Sequence, residues 1–397
     1  MNDPGQILAH VRAQRDEMIG LLADLVRIET PSDVPAAQGP ALDLLRAHLE
    51  ESGFRCRHLP GRRSGGMLLA LPHRSRKGQP RQLLLGHVDT VWPMGTLETM
   101  PLRIAGNRIE GPGVYDMKGG LVQMLFALRA LVELGLPPEA EPVVFVNSDE
   151  ETGSRESTRH IVRFARCCHR AFVMEPSLGP TGKLKTARKG VGRFTVHVQG
   201  EPAHAGLDPG GGVSAILELS HQIQHLFEWN DPDGGISLNV GKVEGGTSVN
   251  VVAPRSSAEV DLRVPTIEAA RRMERKIFHL APRNPGARIT VEGGIRRPPM
   301  EPTPRNRGLW EQARQVAAFL SLEIEEGTAG GASDGNTASL YTATLDGLGA
   351  VGNGAHARHE HILIDAMLER TALLACLLLA PVRASLTAAP ANRRVHA

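Results

Sequence analysis

Apolar residues recur along this chain with two rhythms. From Gln6 to Ile28 they follow a helical period, with Ile19, Leu22, Leu25 and Val26 on one stripe, and Pro31 stops the pattern. Ala41–Ser52 reads as a further helix with Gly53 as its C-cap. Four short segments, Met67–Leu71, Gln82–His87, Val143–Asn147 and Ala171–Met174, are apolar on both faces and are separated by helical stretches such as Gly120–Leu134. Runs of that kind are buried strands, so the alternation predicts an α/β domain with a mixed, mostly parallel sheet flanked by helices.

Near Thr186 the rhythm changes. Phe194–Gln199 alternates with period two, Ser214–Phe227 is helical, Ile236–Val243 and Ala258–Val264 are strand-like, Ile267–Leu280 is helical, and Ala287–Glu292 is strand-like. This is the βαββαβ order of a ferredoxin-like α+β unit. After Pro298 and Pro299 the first rhythm returns. The expected organisation is a discontinuous domain, 1–185 and 296–397, interrupted by an inserted α+β domain at 186–295. The Arg/Pro/Ala-rich tail after Pro381 reads as a frayed end.

Composition narrows the possibilities. A length of 397 residues suits two domains, and 41% hydrophobic against 22% charged residues is ordinary for a globular chain. A net charge of +2 and 4% aromatics argue against nucleic acid as a partner and against an anionic membrane surface. Residues 362–379 are apolar, yet Asp365, Glu369 and Arg370 interrupt them, which predicts a packed helix and no membrane span. The cysteines are Cys56, Cys167, Cys168 and Cys376, two of them adjacent, a pattern unlike a disulfide framework or a zinc ribbon. The first twenty residues lack the apolar core of a signal peptide. A reduced, cytoplasmic chain is the expectation.

The chemistry gathers at strand ends. His87 and Asp89 follow Leu83–Leu85 in Gly86-His87-Val88-Asp89-Thr90, and Asp116 lies in Gly113-Val114-Tyr115-Asp116-Met117-Lys118-Gly119-Gly120 ahead of a helix. Glu150 and Glu151 follow Val143–Val146, Glu175 ends Ala171–Met174, and His356 sits in Gly352-Asn353-Gly354-Ala355-His356 with Glu360 four residues on. In an open α/β sheet, ligands bind beyond the carboxyl ends of the strands. Each residue alone has an ordinary structural explanation, a hydrogen-bonded histidine or a solvated acidic turn. Together they place several carboxylates at apolar strand ends, which is costly unless they are paired or coordinated. Gly111-Pro112-Gly113 is not a dinucleotide fingerprint, and no nucleophile elbow or phosphate-binding loop occurs.

In order and wording these motifs resemble the M20 family of metallopeptidases and amidohydrolases, especially its glutamate carboxypeptidase branch, over nearly the whole chain. The resemblance implies a zinc-peptidase-like catalytic domain with two Zn²⁺ ions per subunit. It implies that His87 and Glu151 hold one ion, Glu175 and His356 the other, and Asp116 both. Glu150 becomes the general base and acid, Asp89 the partner that orients His87, and a cis peptide is implied between Asp116 and Met117. His356 rather than His359 or His361 fits the closing pattern, because Glu360 follows it at the right distance. Two ions and three carboxylates with a bridging hydroxide, the nucleophile, make a neutral cluster. Carboxylates with imidazoles and no thiolate suit zinc, cobalt or manganese alike.

The resemblance also makes the insert a lid and dimerisation domain, so that the protein is a homodimer. His204, in Ala203-His204-Ala205-Gly206, would reach the partner's site and stabilise the oxyanion, while Asn250 and Arg263 would grip the substrate carboxylate. Lys183, Gly330 and Gly331 are further substrate-binding candidates, and Asp334 reads as structural. The expected substrate is a small molecule or short peptide with a free carboxylate. The expected reaction is hydrolysis of the adjacent amide, releasing glutamate from peptidyl or N-acyl conjugates. Two alternatives stay open: an N-acyl amino acid deacylase resembling acetylornithine deacetylase, and a non-catalytic binding protein on a hydrolase scaffold.

Overall fold

The computed structural model describes residues 4–74, 78–208 and 210–382, so the tail beyond Val382 lies outside the described residues. The chain forms two compact units, one of residues 1–186, 302–328 and 333–397 and one of residues 187–301 and 329–332.

The first unit is built on a six-stranded sheet in the order Phe54–Leu59, Met67–Pro72, Glu141–Asn147, Arg81–His87, Arg170–Val173, Ala343–Leu345. Met67–Pro72 is antiparallel to both of its neighbours, and the other pairings are parallel. Side chains alternate across the pleat and feed two separate cores. Leu84, Val144, Val146 and Phe172 join helices Arg15–Arg27, Pro35–Glu51, Gly119–Glu133, Pro304–Phe319 and Ile364–Leu379 on one face. Leu83, Leu85, Val143, Phe145, Ala171 and Val173 pack with Ile161 and Ala165 of helix Thr158–Cys167 on the other. A strand between two such layers is apolar on both faces, which explains the unbroken hydrophobic runs.

Three elements depart from the sequence expectation. The single helix expected over Gln6–Ile28 is two, Pro4–Ala13 and Arg15–Arg27, because Gln14 leaves helical geometry with its amide drawn onto Glu133 at 2.7 Å. Phe54–Leu59 is a strand although three of its six residues are polar or charged; it is the sheet's edge and only Phe54 is fully buried. A small antiparallel sheet was also not foreseen: Gly352–Asn353, His361–Leu363, Arg108–Glu110 and Arg103–Ala105, in that order. It lays the His356 segment beside the Asp116 segment. Helix Gly119–Glu133 begins hard against the end of strand Arg170–Val173, and Gly120 permits this, since a Cβ there would collide with the Met174 carbonyl oxygen.

The second unit is a four-stranded antiparallel sheet in the order Ser237–Gly245, Arg255–Val264, Gly190–Gln199, Arg288–Arg297. Helices Ala215–Phe227 and Ile267–Phe278 bury Leu219 and Met273 against Phe194, Val196, Val260 and Leu262. Ser214 and Thr266 cap these helices by accepting the N–H groups of Leu217 and Ala269 at 3.2 and 3.1 Å. Among the described residues no helix is long and apolar enough to cross a membrane.

Candidate metal centre

The parallel strands deliver their last residues to one edge of the first unit. His87 ends Arg81–His87, Glu150 and Glu151 follow Glu141–Asn147, and Glu175 follows Arg170–Val173. Asp116 sits in the wound segment Val114–Lys118 before helix Gly119–Glu133, where the Asp116–Met117 peptide is cis, as the sequence reading implied.

His87 is 2% exposed and its ring is pinned. Nδ1 lies 2.9 Å from the Asp89 carbonyl oxygen, which can only accept, so Nδ1 carries a proton. In the neutral ring Nε2 is then a bare lone pair. It faces Asp116 Oδ1 at 3.5 Å and Glu175 Oε1 at 3.4 Å, and neither Nε2 nor Asp116 Oδ1 has a hydrogen-bond partner. Nε2 and Asp116 Oδ1 meet there without a hydrogen-bond partner, an arrangement that positive charge relieves, whether a proton on Nε2 or a metal ion. Two ligands of a tetrahedral zinc ion, each bonded at roughly 2.0–2.1 Å, stand about 3.3–3.4 Å apart, close to these separations. The residues therefore fit a metal.

A second half-site repeats the arrangement. His356 Nε2 lies 3.1 Å from Glu151 Oε1 and 3.5 Å from Asp116 Oδ2. Asp116 thus turns one oxygen to each histidine, as a bridging ligand would. His356 adopts a left-handed backbone conformation, φ 60°, uncommon outside glycine and tolerated where the surroundings hold it. The pairing of ligands differs from the sequence expectation, which joined His87 to Glu151 and Glu175 to His356. The shortest contacts join His87 with Glu175 and Glu151 with His356. His87, Asp116 and Glu151 also stand within mutual ligand reach, as do His87, Glu150 and Glu175.

Charge in the cluster is strongly coupled. Burial opposes protonation of His87, but Asp116, Asp89 and Glu175 more than offset it and hold its pKa well above the usual imidazole value. Hydrogen bonds that its ring donates to the Asp116 and Glu151 carboxylates draw His356 up to about 10. Burial disfavours the charged form of Asp116, yet His356 and His87 keep its carboxyl far below the ordinary range. Glu151 is pushed up by burial. Every shift expresses the same imbalance, an acidic cluster that draws in positive charge.

The structure revises how Asp89 acts. The main-chain carbonyl, not the carboxylate, makes the short contact to His87 Nδ1, and Asp89 Oδ1 stands off at 3.4 Å. The carboxylate instead fastens the acidic turn: Oδ1 accepts from the Glu150 N–H at 3.2 Å, and Oδ2 from the Glu151 N–H at 3.1 Å and from Ser32 Oγ at 2.9 Å. Behind that turn Asp334 accepts from Ser154 Oγ at 2.5 Å and Asn147 Nδ2 at 2.6 Å, the structural role expected of it. Sequence reasoning missed Ser32 and Trp92, which stand in no recognisable motif, and the contacts made by Glu360.

The remaining candidates have local contacts of their own. Lys183 is paired with Glu325 at 2.9 Å. Gly330 and Gly331 lie in the short 329–332 piece of the second unit, where Arg188 Nη1 donates to the Gly331 carbonyl at 3.2 Å. In the second unit the His204 and Asn250 segments are joined, with the Ala205 N–H on the Asn250 carbonyl at 3.0 Å. His204 Nδ1 accepts from the N–H groups of Gly206 and Leu207 at 3.1 and 3.0 Å, which leaves Nε2–H as an exposed donor. Arg263 is engaged by Asp261, at 2.6 Å from Nε and 3.1 Å from Nη2.

The model for Peptidase family M20/M25/M40 matches residues 83–380. The chain is 26% identical over 378 residues to carboxypeptidase G2 of Pseudomonas sp. (strain RS-16), covering 92% of this chain and 89% of that protein. It is 28% identical over 373 residues to succinyl-diaminopimelate desuccinylase of Xylella fastidiosa (strain 9a5c), covering 88% and 94%. Its fold matches the YXEP protein of Bacillus subtilis, described as a dinuclear metal binding peptidase from the M20 family. That match has a TM-score of 0.71 at 15% identity and covers 93% of this chain and 98% of that one.

Proposed function

The chain belongs to peptidase family M20, and from that premise we propose a two-metal amide hydrolase that releases glutamate from peptidyl or N-acyl conjugates. The observation that carries the metal-dependent part is the buried Nε2 of His87, without a hydrogen-bond partner and 3.5 and 3.4 Å from oxygens of Asp116 and Glu175. In this reading His87 and Glu175 hold one ion, Glu151 and His356 the other, and Asp116 both. When bound, two zinc ions supply Lewis acidity at the scissile carbonyl and lower the pKa of water. Cobalt and manganese fit the same donors.

The chain's own groups do the rest. Glu150, 8% exposed, sits within reach of the cluster and can take a proton from the attacking water and return it to the leaving amine. Asp89 holds the Glu150-Glu151 turn while doing so. The second unit acts as lid and dimerisation domain, with His204 of one subunit donating Nε2–H to the tetrahedral oxygen in its partner's site. Exposed apolar residues support the dimer: Ile216, Leu217 and Val243 are 47%, 58% and 54% exposed, and Ile216 abuts Gly245 at the end of edge strand Ser237–Gly245. Asn250 and Arg263 bind the substrate carboxylate, Arg263 exchanging Asp261 for it. Lys183, Gly330 and Gly331 serve as secondary contacts. The four thiols, none in a disulfide, support a reducing compartment such as the cytoplasm.

A deacylase for N-acyl amino acids is the second reading, favoured by the similarity to the desuccinylase. Amine release from dipeptides and N-acyl amino acids ending in Glu, Asp, Ala, Arg or ornithine separates the two. Preference for Glu-ended substrates supports the carboxypeptidase. Turnover confined to acylated basic amino acids moves the protein to the deacylases.

A further inference from the structure

Glu360 lies in the wall of the metal centre, fully buried, and its carboxylate receives four N–H groups. Oε1 accepts from the backbone N–H of Tyr115 at 2.9 Å and of Asp116 at 3.0 Å. Oε2 accepts from the backbone N–H of Gly113 at 2.9 Å and from Trp92 Nε1 at 2.8 Å. The Glu360 carbonyl takes a fifth, the N–H of Gly111 at 3.2 Å, and its own N–H closes a turn on Ala357 at 3.0 Å. Backbone N–H groups of neighbouring residues that converge in this way form an anion-binding concavity. Here the anion is internal. It joins three segments that carry different parts of the site: Trp92 follows His87 and Asp89, residues 111–116 carry Asp116, and Glu360 itself lies four residues beyond His356.

We propose that Glu360 is a positioning residue that sets the separation of Asp116 from His356 and thereby couples the affinities of the two metal half-sites. It touches no reacting atom. Its carboxylate fixes the N–H of the very residue that serves both ions, while its main chain fixes the segment bearing His356. A glutamine in its place offers one acceptor oxygen and an NH₂ group that opposes at least one pair of these donors. An alanine leaves four buried N–H groups and a cavity shaped for a small carboxylate. This inference rests on the metal-centre reading above, and its test reads metal binding directly.

Metal-free wild type, Glu360→Gln and Glu360→Ala are titrated with zinc against a chromophoric chelator, with the Tm of each metal-free protein as a check on folding. Zinc affinity should fall about 10- to 100-fold at both half-sites in Glu360→Gln, the range typical for residues that hold a ligand in place. With an amide substrate kcat should fall while KM stays within about twofold, since the substrate is not touched. In Glu360→Ala, formate or acetate should restore much of the zinc affinity and chloride at equal ionic strength should not. A purely structural glutamate would lower Tm and leave zinc affinity of the folded protein unchanged, and that result overturns the proposal. Loss of affinity at one half-site only overturns the coupling. If Glu360→Ala fails to fold, Glu360→Gln alone decides between these outcomes. Wild type that takes up no divalent ion sinks the metal centre itself, whereas equal affinities in wild type and variants sink only the role of Glu360.

Discussion

Glu150→Ala separates two roles that the geometry of the site allows. Glu150 stands with His87 and Glu175 in one ligand-sized group, so its carboxylate could serve as a base or as a ligand. The turn that carries it does not depend on its side chain. Its N–H donates to Asp89 at 3.2 Å and its carbonyl accepts from Gly153 at 2.8 Å, both main-chain contacts that survive substitution. Glu151 is held separately through its own N–H on Asp89. Three carboxylates, Asp116, Glu151 and Glu175, and two imidazoles therefore remain in place around the cluster. A lost general base costs about 10²- to 10⁴-fold in rate, or roughly 3–5 kcal/mol of barrier. The expected outcome is a folded protein with the wild-type metal content, KM nearly unchanged, and kcat reduced by that factor. The assay pairs metal analysis after gel filtration with steady-state amine release on the same sample. Turnover within about threefold of wild type would refute the base. Loss of one ion per chain would show Glu150 to be a ligand.

Asp89→Asn should weaken zinc binding about tenfold, because an amide NH₂ must confront the Glu150 N–H or the Glu151 N–H and Ser32 hydroxyl. Ser32→Ala removes a single donor and should change affinity less than about threefold; isothermal titration of the metal-free proteins measures both. His204→Ala should slow turnover and leave the dimer intact, and subunit exchange with Glu150→Ala should restore activity to about a quarter of wild type, since random mixing makes half the dimers hybrid with one complete site each. No recovery after verified exchange would remove His204 from the partner's site. Glu218 is buried and accepts from the N–H groups of Arg283 and Asn284 at 2.9 and 2.8 Å; burial pushes its carboxyl up, but these donors hold it below the ordinary value. A depressed folded-state pKa contributes stability above the unfolded value, near 4.3, that is lost as pH falls through the folded one. Glu218→Gln should accordingly lower the Tm of the second unit at pH 7, and the difference from wild type should shrink toward pH 3.

Most of the scaffold was legible because both layers of the first unit are written into its strands. Leu83 and Leu85 serve one core and Leu84 the other, so the segment has no polar face to disguise it. The ligand-bearing segments were legible for the same reason, since several acids together at the ends of such strands are costly unless paired or coordinated. What escaped was long-range. Phe54–Leu59 carries Arg55 and Arg57 outward at a sheet edge and lacks a buried period. The pairing of ligands depends on how side chains from separate strands and from the His356 turn meet, which is not written in any one segment. Glu360 could be seen only as a spacing after His356, while its partners at 92, 113, 115 and 116 stand roughly 240 or more residues away. Asp89 was read as the orienting group for His87, yet that contact is made by its main chain, which no sequence pattern distinguishes.

Metal-dependent amide hydrolysis is the central claim, and one measurement meets it directly. Amine release from an N-acyl-glutamate is followed for the protein as purified, after chelation to a verified metal-free state, and after return of zinc. The account predicts turnover that disappears with the metal and comes back with it. Turnover by the verified metal-free protein, undiminished, would contradict it.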